Sequence, residues 1–304
     1  MLVQIISYAA HWQNPRDGLH PGATQCICAC AKDRPTRLNC VRRRASGRGG
    51  TICQPASLNI DASRDSYGLG DVSQRFTLEI SVETLEAALA AERGGADRIE
   101  LCRNLSIGGV TPGADILRAV RAQVRIPIFS MIRPRAGDFV YSTAEFAEMK
   151  RSIIGAKESG MDGVVLGILT KDHRVDVRRT QELVEFAKPL PVTYHRAFDE
   201  SADLHRALED VIQSGANRIL TSGGAKSALE GAAVLARVVE AAGERVVIVP
   251  GAGISAANIV EVARRTRALE FHSGLSAALP YGSEDYKKFE EEVRKLAEAV
   301  GRLA

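Results

Sequence analysis

The chain has 304 residues, 45% hydrophobic and 25% charged, an ordinary balance for a globular protein. Its formal net charge of +3 comes from the first 75 residues, where ten Lys/Arg face five Asp/Glu, while the remainder carries 30 against 32. The later part therefore offers no basic face for nucleic acid, and no apolar run reaches the ~20 residues that span a bilayer.

Residues 1–75 show little hydrophobic periodicity and include Arg42-Arg43-Arg44, Gly47, Gly49 and Gly50. That composition predicts a disordered extension. Cys26, Cys28 and Cys30 are closely spaced thiols that could bind a soft metal, yet no second ligand pair follows at zinc-finger spacing. A non-native extension from an early translation start is favoured over an Arg-rich transit peptide, because no clear amphipathic helix is present. Of the six cysteines only Cys102 lies beyond residue 75, which fits a reducing compartment better than a disulfide scaffold.

From Phe76 onward short apolar runs alternate with longer segments of helical period. Strands are expected at 76–80, 97–101, 127–132, 162–169, 190–195, 217–221, 245–249 and 268–272. Helices are expected at 82–93, 114–124, 143–159, 177–187, 202–214, 228–241, 256–265 and 284–300. Eight strand–helix units predict a (β/α)8 TIM barrel spanning residues 76–304. A doubly wound sheet would carry a phosphate-binding glycine fingerprint after its first strand, where Glu79-Ile80-Ser81-Val82 stands instead. Gly94-Gly95, Gly160 and Gly215 read as left-handed helix stops, with no chemistry of their own.

The run Val192–Asp199 shows how chemistry enters this frame, since a short buried strand ends in His195, Arg196 and Asp199. In a barrel all carboxyl strand ends share one mouth. They bring together Glu79, Glu100, Arg133, His195, Arg196, Asp199 and His272. Carboxylates beside arginines stay ionised and histidine titrates near neutrality, so general acid–base chemistry is available. The same groups could equally form a structural ion-pair network. Thr221, Ser222, Gly223, Gly251, Gly253 and Ser273 make a second set. Their turns could present N–H groups to an anion or phosphate, or simply permit tight bends. The fourth strand brings nothing comparable. A lone cysteine such as Cys102 is more often an inert small hydrophobe than a metal ligand.

Several longer motifs carry a resemblance. Arg98-Ile99-Glu100-Leu101-Cys102, Gly108-Gly109-Val110-Thr111-Pro112, Met131-Ile132-Arg133-Pro134-Arg135 and Gly137-Asp138-Phe139-Val140-Tyr141-Ser142 are four of them. His195-Arg196-Ala197-Phe198-Asp199, Arg218–Gly223, Ser227–Gly231 and Glu270-Phe271-His272-Ser273 follow in order. Together they resemble the CutC family of copper homeostasis proteins. The resemblance implies a TIM barrel, a cytoplasmic location, a homo-oligomer and Cu(I) held by Cys102. The family's second cysteine position is occupied by Ser81, so another soft donor would have to be a His, a Met or a second subunit.

Two functions follow. One is copper homeostasis through Cu(I) at Cys102. The other is a barrel enzyme acting on a small anionic metabolite, phosphorylated compounds included. There Arg133 and Arg196 would fix the anion, Glu79 or Glu100 would abstract a proton, and His195 or His272 would donate one. Neither nucleic acid nor a membrane is an expected partner.

Overall fold

Strand-forming runs rich in Val, Ile and Leu alternate with amphipathic stretches, and each run is buried on both faces, as parallel strands are. The computed structural model describes residues 76–276 and 278–303, so the expectations for residues 1–75 lie outside the described residues. The strands are β1 (Thr77–Val82), β2 (Arg98–Leu101), β3 (Ile128–Met131), β4 (Gly163–Leu166), β5 (Val192–Tyr194), β6 (Arg218–Thr221), β7 (Val247–Pro250) and β8 (Glu270–Ser273). They form one eight-stranded parallel sheet in the order β7-β6-β5-β4-β3-β2-β1-β8. β7 and β8 flank the seam of this nearly closed barrel, which is the predicted TIM-barrel fold.

The outer helices are α1 (Leu85–Gly94), α2 (Ala114–Gln123), α3 (Thr143–Glu158), α4 (Val177–Ala187), α5 (Leu204–Ser214), α6 (Ala232–Ala242), α7 (Ile259–Thr266) and α8 (Tyr286–Gly301). None among the described residues is long and apolar enough to cross a membrane. Their starts follow capping chemistry more than hydrophobic period. α1 begins three residues later than the periodicity suggests, because β1 runs on to Val82 and the Thr84 hydroxyl accepts from the Ala87 N–H. α3 begins at a full capping box, Ser142 with Glu145.

The recurrent glycine junctions have a partner that periodicity alone does not reveal. After Gly95, Gly160 and Gly215, each with positive φ, comes an Asp or Asn two residues on. Its side chain accepts the N–H that opens the preceding strand: Asp97 from Leu78, Asp162 from Ile128 and Asn217 from Val192, at 2.9, 2.9 and 2.8 Å. Its own N–H returns a bond to the carbonyl of the same residue. This reciprocal pair fixes strand register at the amino-terminal end of the barrel. Replacing Asn217 by Ala removes one such acceptor and should cost about 1 kcal/mol. Denaturant unfolding would show a lower midpoint with an unchanged m-value, whereas an unaltered midpoint would mean that solvent replaces the bond freely.

Candidate functional site

The interior of the barrel is charged. Residues two apart on a strand share a face, so Glu79 and Ser81 of β1, Arg98 and Glu100 of β2, and Glu270 and His272 of β8 all point inward. The ladder pairs Glu79 with Arg98 on one side and with His272 on the other, and pairs Ser81 with Glu100. Lateral neighbours in the sheet therefore become contacts inside it.

At the deeper level, the Arg98 guanidinium donates to Glu79 through Nε and to Glu270 through Nη2, the latter at 2.7 Å. Arg218 reaches the same Glu270 oxygen from β6 at 3.1 Å. Phe129 lies between the two cations, 4.9 Å from Arg98 and 5.2 Å from Arg218. Gly163 makes this possible, because a Cβ there would stand 2.6 Å from the Phe129 ring.

Above this layer, Oε1 of Glu79 faces Nδ1 of His272 at 2.8 Å. Burial pushes the Glu79 carboxyl up, but Arg98 and His272 outweigh it and hold the group down at about 2. Glu79 is thus a fixed anion that accepts the Nδ1 proton of His272, leaving Nε2 directed elsewhere. Nε2 lies 3.8 Å from Oε2 of Glu100, within ion-pair range but beyond hydrogen-bond length. Burial lowers the His272 pKa, yet the Glu100 and Glu79 carboxylates raise it overall. Glu100 itself is raised by burial.

Glu79, Glu100 and His272 place one donor atom each within 4.8 Å of one another. Both Glu79 oxygens, however, already serve Arg98 and His272, and the guanidinium supplies the positive charge that a metal ion would bring. Cys102 lies just behind this group. Its thiol donates to Glu100 Oε2 at 3.4 Å and is otherwise packed among Leu105, Phe129, Met131 and Val165. Burial, and then the Glu100 charge, push its pKa well up, so it is a thiol at neutral pH.

A chamber of about 330 Å³ opens at the mouth, with Ser81, Glu100, Met131, Arg133, His195 and His272 in its walls. His195 follows β5 and caps a short 3-10 helix, Arg196–Glu200, by accepting the Ala197 N–H on Nδ1 at 3.2 Å. Its ring proton therefore sits on Nε2, which is buried and has no partner. Burial, assisted by the Arg133 charge, lowers its pKa to about 3. The imidazole packs against Phe139, with ring centroids 4.8 Å apart. The residue just after β4 contributes by what it lacks: a Cβ on Gly167 would lie 2.5 Å from His195 Nδ1.

The arginines are largely engaged within the chain. Arg133 gives Nη1 to the carbonyls of Ile107, Gly108 and Gly109 and Nη2 to that of Gly137. It thereby ties the loops after β2 and β3 together, and only its Nε is buried without a partner. Arg196 donates to Asp199 at 2.8 Å and to the Ser222 hydroxyl at 3.3 Å. Asp199 fills the loop after β6. Its carboxylate accepts the N–H groups of Ser222 and Gly224 and the hydroxyls of Thr221 and Ser222. Gly223 gives its N–H to Thr221 Oγ1, Gly251 gives its own to the Thr221 carbonyl, and Ser273 Oγ donates to Ile254. Gly253 lines the chamber. Of the predicted acid–base set, Glu100, Arg133, His195, Arg196, Asp199 and His272 line the chamber and Glu79 lies behind His272, while Thr221 and Ser222 of the predicted anion cradle already hold the Asp199 carboxylate.

Sequence reasoning passed over Arg98, Arg218 and Gly167. Parity was the usable signal for the arginines, because Arg98 shares a strand face with Glu100.

Comparison with known proteins places these residues in context. The CutC family profile matches residues 76–277. A human copper homeostasis protein cutC homolog is 45% identical over 219 residues, covering 72% of this chain and 80% of its own. A CutC family protein from Chromobacterium violaceum is 43% identical, covering 74% and 98%. A structure described as CutC from Streptococcus agalactiae superposes with a TM-score of 0.62 at 30% identity, covering 66% of this chain and 98% of that one.

One consequence can be measured. An unfolded histidine titrates near 6.5, whereas His195 in the fold titrates at about 3. Between these values the unfolded chain binds the proton and the folded chain does not, so His195 increasingly opposes folding as pH falls. A His195→Gln variant should therefore lose about 2 kcal/mol less stability than the parent between pH 7 and pH 5. Denaturant titrations at both values test this, and equal losses would mean that His195 is charged in the fold.

Proposed function

Because the chain belongs to the CutC family of copper homeostasis proteins, we propose that it binds Cu(I) as its cargo through Cys102. The observation that carries this reading is the contact between the Cys102 thiol and Glu100 Oε2. A soft cation needs thiolate, and a buried carboxylate of raised pKa stands ready to receive the thiol proton as the Cu–S bond forms. Met131 packs in the same cluster and offers a second soft donor where Ser81 does not. The same reading includes a cytoplasmic location, a homo-oligomer and a functional unit that begins near residue 76.

The test needs Cys102 to be the one thiol. In a full chain with Cys26, Cys28, Cys30, Cys40 and Cys53 replaced by Ser, anaerobic titration against a chromophoric Cu(I) chelator should give one equivalent per chain. Changing Cys102 to Ser as well should abolish it, and undiminished binding would overturn the proposal. Because the thiol proton passes to Glu100 and stays on the protein, apparent affinity should change little with pH while the thiol starts protonated and Glu100 starts ionised, and an approximately tenfold rise per pH unit would mean that the proton leaves instead.

A second reading is favoured by the chamber itself. Copper transport does not require a polar chamber beside a buried charge relay that ends in a free imidazole nitrogen. Those features suit a small organic metabolite handled by acid–base chemistry.

A further inference from the structure

The chain of buried charges at the mouth has a direction. Glu270 and Glu79 hold Arg98, Glu79 holds His272 Nδ1, and the series ends at His272 Nε2 on the wall of the chamber. The hydrogen bond of this imidazole uses Nδ1, and Nε2 stands 3.8 Å from Glu100 Oε2, too far for a hydrogen bond. Three strands away, His195 stands in the same wall with its proton fixed on Nε2 and no acceptor for it. One imidazole thus offers a lone pair backed by a carboxylate, and the other offers a neutral N–H donor. We propose that the chamber enolises a small, uncharged α-hydroxy aldehyde or ketone, with His272 Nε2 moving the proton and His195 Nε2–H holding the carbonyl oxygen. This rests on the second reading above and specifies its substrate class and reaction.

The absence of a phosphate or carboxylate on the substrate follows from the mouth. Asp199 occupies the amide-rich loop after β6, where a phosphate would otherwise sit. The terminal nitrogens of Arg133 are bonded to four backbone carbonyls. The chamber's own carboxylates, including Glu100 and Glu200, disfavour a further anion. At ~30 Å³ per water-sized group, about 330 Å³ holds roughly ten heavy atoms, the size of a five-carbon sugar.

The step balances without a co-reactant. The C–H bond on the hydroxyl-bearing carbon breaks and its proton passes to His272 Nε2. The electron pair becomes the carbon–carbon double bond as the carbonyl π pair moves onto oxygen, where the His195 N–H stabilises it. Return of the proton to the neighbouring carbon, with transfer of the hydroxyl proton to the former carbonyl oxygen, gives the isomeric carbonyl compound. Glu79 and Glu100, with Arg98 behind Glu79, are the charged groups facing His272, and the two carboxylates raise its pKa. Its basic form is therefore populated on the alkaline side of the ordinary histidine range, and turnover should rise with pH there.

Proton NMR of the full-length protein in D₂O tests this with glyceraldehyde, dihydroxyacetone, erythrulose, ribulose and xylulose as probes. At least one should exchange its α-hydrogen for deuterium faster than in buffer. His272→Gln should lower that rate at least about 100-fold. Should this variant fail to fold, His195→Gln, which lies off the ion-pair relay, should slow exchange by a similar factor. Saturation-transfer spectra of the same samples separate the two levels of inference. Binding without exchange overturns the enolisation but leaves the metabolite site standing. Neither binding nor exchange overturns both. Exchange that survives the histidine replacements unchanged overturns the assigned roles.

Discussion

Arg98 sets the terms for the rest of the barrel. An arginine with only about one-twentieth of its surface exposed is tolerable only when fully paired, and Glu79 pairs it from the adjacent β1 while Glu270 reaches it from β8, one strand further round. Those contacts demand the register seen in the sheet, with Arg98 beside Glu79 and Glu79 beside His272. They also demand room for Phe129 between two cations, and hence a glycine at position 163. Branched aliphatic side chains would fill such a layer with less desolvation. What the charged layer provides instead is orientation: Glu79 is ionised, immobile and aimed at one nitrogen of His272.

The mouth above it follows a related logic, in which most charges are satisfied from within. Arg133 gathers carbonyls from two loops, and Asp199 fills the amide-rich turn after β6. Both side chains shape the rim. Buried polar atoms without a hydrogen-bond partner are uncommon in folded proteins, and three of those among the described residues, His195 Nε2, Arg133 Nε and Glu100 Oε1, belong to side chains that line the chamber.

The barrel itself was readable because each unit carries its own punctuation. Glycine stops close several helices, and the buried strands are short, continuous apolar runs. The Asp and Asn partners of those glycines are not evident from periodicity, since their bonds reach back to a strand 19 to 34 residues earlier in the chain. At the mouth, position on a strand end indicates which residues come near one another, but not which of them face one another. Asp199 shows why: a turn with free N–H groups looks the same in sequence whether an outside anion or an internal carboxylate fills it. Gly167 is the converse, a residue whose role is the space it leaves for His195.

The two functional readings meet at Glu100. Its Oε2 lies 3.4 Å from the Cys102 thiol and 3.8 Å from His272 Nε2. A cation that draws the proton from Cys102 would hand it to this carboxylate, and a neutralised Glu100 no longer raises the pKa of His272. If both readings hold, soft-metal binding and proton transfer at the chamber would be coupled through one oxygen. Position 81 tips the balance between them. Ser81 pairs with Glu100 on the sheet and lines the chamber, where a second thiol would have made a soft-metal pair. With a hydroxyl there, the chamber wall carries Ser81, Glu100, Arg133, His195 and His272 among apolar neighbours such as Met131, Phe139 and Leu220.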